Sequence, residues 1–70
     1  MKYKVGQEVP ITINSIFEEG KLINTIVIVR KIVGNTVFVQ IPMEYSTYQN
    51  LYGTEEQLEN LIRSRNKSRI

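Results

Sequence analysis

The chain has 70 residues, with nine lysines and arginines against seven glutamates, and it contains no cysteine, no histidine and no aspartate. This length allows a single domain, and the missing cysteine and histidine exclude a disulfide and a structural zinc site. Only Glu, Lys, Tyr, Ser and Thr remain for acid, base or nucleophile chemistry, and the four glycines are scattered along the chain. The sequence therefore predicts a non-catalytic protein that holds no metal and no cofactor.

The charge is distributed unevenly along the chain. Residues 63–70 hold four cations and no acid, whereas residues 1–62 hold five cations against seven glutamates, a net charge of −2. A sheet that reads DNA needs a cationic stripe, because neutralisation of phosphates dominates affinity. The body lacks that stripe, so a nucleic-acid contact is predicted for the basic tail: Arg63, Arg65, Lys67 and Arg69.

The N-terminal segment KYKVGQEVPITIN alternates apolar and polar residues, with Tyr3, Val9 and Ile11 on the apolar parity. Period-two alternation predicts a strand with one buried face. Pro10 cannot donate a hydrogen bond to a neighbouring strand, so this strand is expected at an edge of the sheet or bulged at that point.

Two β-branched segments, LINTIVIVRKIV and TVFVQIPM, flank Gly34 and Asn35. Gly at the first central position predicts a two-residue type II′ hairpin, and Gly20 in the preceding segment predicts another turn with positive φ. The hairpin register pairs four sets of residues: Ile32 with Val37, Arg30 with Val39, Ile28 with Ile41, and Ile26 with Met43.

The same register places Val27, Val29 and Phe38 together on the opposite face. Both faces are apolar, and one helix covers only a narrow stripe, so we expect a partner or a second copy at the Phe38 face. Arg30 falls on the more apolar face, which indicates either a bulge beside Lys31 or a position near the sheet rim.

The segment EYSTYQNLYG suits either a helical turn or a short last strand, because Tyr45, Tyr48 and Tyr52 have helical spacing. The next segment predicts a helix over about 55–65. Thr54 is its N-cap and Gln57 completes a capping box. A favourable i, i+4 pair is expected between Glu59 and Arg63. The apolar stripe that docks on the sheet is Leu58, Leu61 and Ile62.

The predicted fold is mainly β with a C-terminal helix, as a small curled antiparallel sheet or an SH3-like or OB-like barrel. We expect one domain over residues 1–62 and a basic, flexible tail over residues 63–70. The segments VGQEVPITI and GNTVFVQIP resemble small barrels of the KOW, TRAM and Sm type over about half of the chain. The resemblance concerns the fold, and no site residue is assigned from it.

The predicted function is a non-catalytic binding module whose tail contacts nucleic acid or ribonucleoprotein. The tail also suits a solubilising helix end or an acidic protein partner, and the tyrosines also suit base stacking. The alternative is a protein-interaction module, such as a small inhibitor or adaptor of phage origin, or a homo-oligomer. Its interface would use Val27, Val29, Phe38, Tyr45 and Tyr48. No apolar run reaches membrane length, and MKYKVGQEVP lacks a signal-peptide core, so we expect no membrane contact and a cytoplasmic location.

Overall fold

The computed structural model describes residues 2–65 and contains one four-stranded antiparallel sheet and one helix. The strands are β1 (Glu8–Asn14), β2 (Leu22–Val33), β3 (Thr36–Pro42) and β4 (Tyr48–Thr54), and the helix is α1 (Glu55–Arg65). Neighbours in sequence are neighbours in the sheet, in the order β1-β2-β3-β4. The mainly-β fold with a C-terminal helix is confirmed. The sheet is open, with β1 and β4 as its edges, and within residues 2–65 it does not close into a barrel.

Helix α1 covers one face of the sheet and completes the hydrophobic core. The core side chains come from every strand except β4, from α1 and from the N-terminal segment. Complete burial of one such aliphatic side chain contributes about 1.5–3 kcal/mol. The buried apolar residues are Tyr3, Ile11, Ile13, Val27, Val29, Val37, Val39, Ile41 and Leu58.

A β-bulge in β2 overturns most of the predicted hairpin register. Ile32 pairs with Val37 as expected, but Val29 rather than Arg30 lies opposite Val39. Arg30 is the extra residue, because the next pair towards the turn joins Lys31 to Phe38. The bulge keeps the Arg30 charge exposed, and a buried unpaired charge would be costly. Of the two explanations for Arg30, the bulge is confirmed.

The bulge also reverses the parity of the first half of β2. A shift of one residue moves side chains to the other face, so Val27 and Val29 lie in the core with 0% exposure. Phe38 lies on the opposite face and is half-buried. The predicted common face of Val27, Val29 and Phe38 is therefore wrong, and the two valines have no surface to offer a partner in this fold.

The N-terminal strand is shorter than the alternation predicts. It begins at Glu8, because Lys4–Gln7 form a turn in which Gln7 N–H donates to the Lys4 carbonyl at 3.0 Å and Gly6 has φ 91°. Val5 is 62% exposed as a result. The edge position predicted from Pro10 is confirmed.

Two of the predicted turns form at glycines with positive φ: Gly20 has φ 80° and Gly34 has φ 58°. Val33 pairs with Thr36 around the two-residue Gly34–Asn35 loop. Asn35 does not share the positive φ, which excludes a type I′ turn and agrees with type II′.

Of the two alternatives for the ambiguous segment, the last strand is confirmed from Tyr48 onward, and the helical turn predicted from the spacing of the tyrosines does not form. Glu44–Ser46 form a single 3₁₀ turn, and β4 begins at Tyr48. Tyr45 and Ser46 have φ 56° and 62°, the only positive values among the described non-glycine residues. Such left-handed backbone costs about 1–3 kcal/mol for a residue with a side chain.

The capping box of α1 forms as predicted. Gln57 N–H donates to Thr54 Oγ1 at 3.2 Å, and Thr54 N–H donates to Gln57 Oε1 at 2.9 Å. The expected partner of Glu59 is wrong, because Lys2 Nζ contacts Glu59 Oε1 at 2.7 Å instead of Arg63. Arg63 and Arg65 belong to the last helical turn, so the predicted tail boundary at residue 63 falls inside the helix. Lys67 and Arg69 lie outside the described residues.

Candidate functional site

The face of the sheet opposite α1 is not covered by any described element, and we call it the helix-free face. Side chains alternate along a strand, so residues between the core positions project onto it. Two rows of cross-strand neighbours follow from the register. The first row is Lys31, Phe38 and Tyr52, and the second is Glu8, Ile28, Gln40 and Asn50.

Two aromatic rings stack on the helix-free face. Phe38 and Tyr52 are direct neighbours on β3 and β4, with ring centroids 5.7 Å apart and an interplanar angle of 28°. Lys31 Nζ lies over the Phe38 ring at 5.8 Å from its centroid, within range of a cation–π contact. Phe38 is half-buried, whereas Tyr52 is 77% exposed. Tyr52 therefore presents a supported aromatic surface to solvent.

Unpaired positive charge lies beside these rings. Within residues 2–65, Lys2 and Lys21 form the ion pairs, with Glu59 and Glu18, and neither Arg30 nor Lys31 has a carboxylate partner. These two cations are neighbours in the chain at the bulge of β2, and both are exposed. Glu8 is the acidic residue of the second row, two strands away from Phe38. The stacked rings consequently border a local cationic group.

Two carboxamides complete this surface. Gln40 and Asn50 are direct neighbours on β3 and β4, one row from the stacked rings. Each carboxamide offers two N–H donors and one carbonyl acceptor, and Asn50 is exposed. Neutral groups of this kind can form hydrogen bonds with the edge of a planar heterocycle that stacks beside them.

Arg63, the first of the C-terminal cations, lies on the helix side of the sheet. It borders a shallow recess with Lys2, Tyr3, Glu59 and Ile62. The Lys2 hydrogen bond and charge lower the pKa of the Glu59 carboxyl, and Glu59 in return raises the pKa of Lys2. Burial raises the pKa of the Tyr3 phenol. Arg63 and the stacked rings therefore lie on different layers of the fold.

A second exposed apolar group lies at the end of the sheet where two loops meet. Ile16, Phe17 and Tyr45 form this loop-tip patch, with exposures of 65%, 64% and 76%. The Phe17 and Tyr45 rings meet edge to face, with centroids 5.0 Å apart. The Glu44 carboxylate joins the two loops by accepting hydrogen bonds from Ser15 Oγ at 3.0 Å and from Ile16 N–H at 2.9 Å.

The structure separates the residues that the sequence grouped as one interface. Phe38 and Tyr48 lie on strands of the helix-free surface, whereas Tyr45 lies in the loop-tip patch. Sequence reasoning missed Arg30, Lys31 and Tyr52 as a group. The sequence did contain a signal for Tyr52. If residues 48–54 are treated as a strand paired with β3, Tyr52 falls opposite Phe38.

Within residues 2–65 no helix is long and apolar enough to cross a bilayer. The same part of the chain has no cluster of three or more His, Cys, Asp or Glu side chains placed to bind a metal ion. No protein-family model matches the chain, and the searches of curated proteins and of solved structures return no significant match.

Proposed function

We propose that this protein is a non-catalytic module that binds single-stranded nucleic acid on the helix-free face. One observation carries the proposal: the stacked pair Phe38 and Tyr52 lies beside the unpaired cation Lys31 on a sheet face that α1 does not cover, and the exposed Arg30 is the chain neighbour of Lys31. Stacking platforms next to positive charge are the usual means of holding unpaired bases. A cytoplasmic location is part of the proposal, and the absence of cysteine fits a reducing compartment.

Tyr52 is the residue on which a base would stack. Its 77% exposure leaves a ring face free, while the other side of the ring is supported by Phe38 at 5.7 Å. Stacking of one base on an aromatic side chain contributes about 1–3 kcal/mol. The neighbouring Asn50 and Gln40 carboxamides would then accept or donate hydrogen bonds at the base edge.

The phosphates would be neutralised from two places. Arg30 and Lys31 serve the backbone next to the stacked base. The C-terminal cations Arg63, Arg65, Lys67 and Arg69 add a second contact, of which Arg63 lies on the helix side of the sheet. Each neutralised phosphate of a single strand adds about 0.7 to the slope of log affinity against log salt. Two contacts on the sheet predict a slope of about 1.4 by that rule, and a steeper slope would come from the C-terminal cations.

The test is fluorescence anisotropy with labelled oligo-dT and oligo-U, comparing Tyr52→Ala with Tyr45→Ala. The two tyrosines are matched, because their exposures are 77% and 76%. Tyr52→Ala should weaken binding about 5- to 150-fold, the equivalent of one lost stacking contact. Tyr45→Ala should leave binding unchanged. No binding by the wild-type chain, or equal losses for both variants, would overturn the proposal.

The two cationic contacts can be separated by charge removal. Arg30→Ala with Lys31→Ala should weaken binding and flatten its salt dependence, because Lys31 lies over the Phe38 ring and the exposed Arg30 is its neighbour in the chain. Lys67→Ala with Arg69→Ala should flatten the salt dependence without changing the effect of Tyr52→Ala. If Lys67→Ala with Arg69→Ala alone abolishes binding, the nucleic acid is bound by the tail rather than by the sheet.

The second candidate function is protein interaction, and the loop-tip patch favours it. Three apolar side chains there are each more than half exposed, and Glu44 holds them in place across two loops. Exposed apolar patches of this kind mark partner sites. A photoreactive phenylalanine analogue introduced at position 17 would crosslink to protein under this reading. The same analogue at position 52 should crosslink to nucleic acid, and protein adducts at both positions would favour the inhibitor or adaptor function.

A further inference from the structure

The two edges of the sheet differ in how well they are protected against another strand. Gly6 N–H donates to the Val29 carbonyl and Val29 N–H donates to the Gln7 carbonyl, so the backbone of Val29 faces the β1 side. By alternation the backbone of Val27 also faces β1, where its partner is Val9. Pro10 is the next residue after Val9, so its backbone points outward, away from β2. The missing N–H of Pro10 therefore interrupts the outer edge of β1, which is a common protection of edge strands.

Strand β4 has none of this protection. Its sequence YQNLYGT contains no proline and no charged residue, and its register against β3 runs without a shift from Thr54 to Tyr48. Tyr48 and Tyr52 are 57% and 77% exposed, and Gln49 and Asn50 are exposed as well. A regular, uncharged and uncovered edge is a template for pairing with another strand.

The hairpin geometry identifies the free backbone groups of β4. In a two-residue hairpin the flanking pair, here Val33 and Thr36, exchanges hydrogen bonds, so alternate β3 residues starting at Val37 face β4. Their partners on β4 are Gly53, Leu51 and Gln49. Tyr48, Asn50 and Tyr52 then direct three N–H and three C=O groups outward. The alternation predicts that the Thr54 N–H also points away from β3. This N–H donates to Gln57 Oε1, as that direction requires.

We propose that two copies of this chain pair antiparallel along β4, with Asn50 opposite Asn50 of the partner subunit. This register uses all six free backbone groups of each copy. It places Tyr48 opposite Tyr52 of the partner subunit, and both side chains lie on the helix-free face. Aromatic cross-strand pairs contribute about 0.2–1 kcal/mol each relative to alanine, and the two-fold axis makes this pair occur twice.

A second copy fits this edge better than an unrelated strand for two reasons. The strand is self-complementary under a two-fold rotation, because it carries no charge that would meet its own like charge at the axis. The pairing is also closed, since the remaining edges of the dimer are both β1, where Pro10 prevents extension. The assembly is a dimer with one continuous eight-stranded sheet. This inference does not depend on the proposed nucleic-acid function, because a stacked base and the partner's Tyr48 would compete for the same side of the Tyr52 ring.

The test is solution mass by light scattering, together with amide hydrogen exchange on the full chain. We expect twice the 8.1 kDa chain mass, falling to the monomer mass on dilution. In the dimer the amides of Tyr48, Asn50 and Tyr52 become protected, while those of Gln49 and Leu51 are protected at every concentration. A monomer at all concentrations, or a dimer without this alternating protection, overturns the proposal.

Two variants at position 50 distinguish this interface from any other. Asn50→Pro removes an outward N–H as Pro10 does in β1, so it should leave the monomer folded and abolish the dimer. Asn50→Lys places two like charges opposite each other and should also give monomers. Mixing Asn50→Lys with Asn50→Glu should restore a heterodimer. Phe17→Glu, in the loop-tip patch, is the control, and a dimer lost with it but kept in both position-50 variants would contradict β4 pairing.

Discussion

The turn between β2 and β3 offers a direct test of how the hairpin is specified. Gly34 has φ 58°, and a Cβ added there would meet no atom within 4 Å. Gly34→Val therefore introduces no collision with a neighbouring residue, and its cost comes from the backbone alone. Left-handed backbone costs a residue with a side chain about 1–3 kcal/mol, and the upper half of that range applies to a β-branched one. Val also restricts the unfolded chain, but the stabilisation that results is smaller than the cost of the left-handed backbone.

The loop cannot relax to avoid the cost, because Val33 and Thr36 are paired directly on either side of it. A loss of about 2 kcal/mol should lower the melting temperature by about 8–16 °C in a domain of this size. Thermal unfolding followed by far-ultraviolet circular dichroism measures it. Gly20→Val is the matched control, with φ 80° and equally open surroundings in a longer loop, and it should cost less. Equal effects of the two changes, or an unchanged melting temperature for Gly34→Val, would refute the reasoning.

Three further predictions concern side-chain hydrogen bonds. Thr54→Ala removes the N-cap of α1 and should destabilise the fold by about 1 kcal/mol in urea unfolding, with Thr54→Ser nearly neutral. Glu59→Gln should destabilise at neutral pH, because Lys2 holds the folded pKa of Glu59 below the ordinary value of 4.5; the difference from wild type should vanish as the pH falls through that folded pKa. Glu44→Ala should speed hydrogen exchange at the Ile16 amide, which donates to Glu44 at 2.9 Å, while strand amides keep their rates.

The elements of the fold could be predicted because their signals are local. The capping box at Thr54 and Gln57, the turn at Gly34 and the edge position of Pro10 each depend on a few adjacent residues, and each is observed. Which face of the sheet a side chain occupies, by contrast, does not depend on adjacent residues alone. One extra residue at Arg30 exchanges the two faces over Ile26–Val29, and a hydrophobic pattern that is apolar on both parities cannot report that exchange.

The candidate site could be predicted only in part for the same reason. Phe38 was expected on an exposed face, but its neighbours Tyr52 and Lys31 are set by the β3–β4 register and by the bulge. The tyrosines of this segment have helical spacing, so the sequence favoured a helical turn and a strand equally. Glu59 pairs with Lys2 rather than with Arg63 because the N-terminal segment lies against α1. No pattern within the helix can indicate a partner 57 residues away.

The packing of the N-terminal segment against α1 determines the order in which this fold can be completed. Each strand pairs with its neighbour in sequence, so the meander can form from short loops. Tyr3 and Lys2, by contrast, reach their places against Leu58, Glu59 and Ile62 only when the last helical turns exist. During synthesis Lys2 and Tyr3 therefore cannot reach these places until residues 58–62 have been made. A chain arrested before residue 58 should show the β2–β3 hairpin while its N-terminal segment remains open to proteolysis.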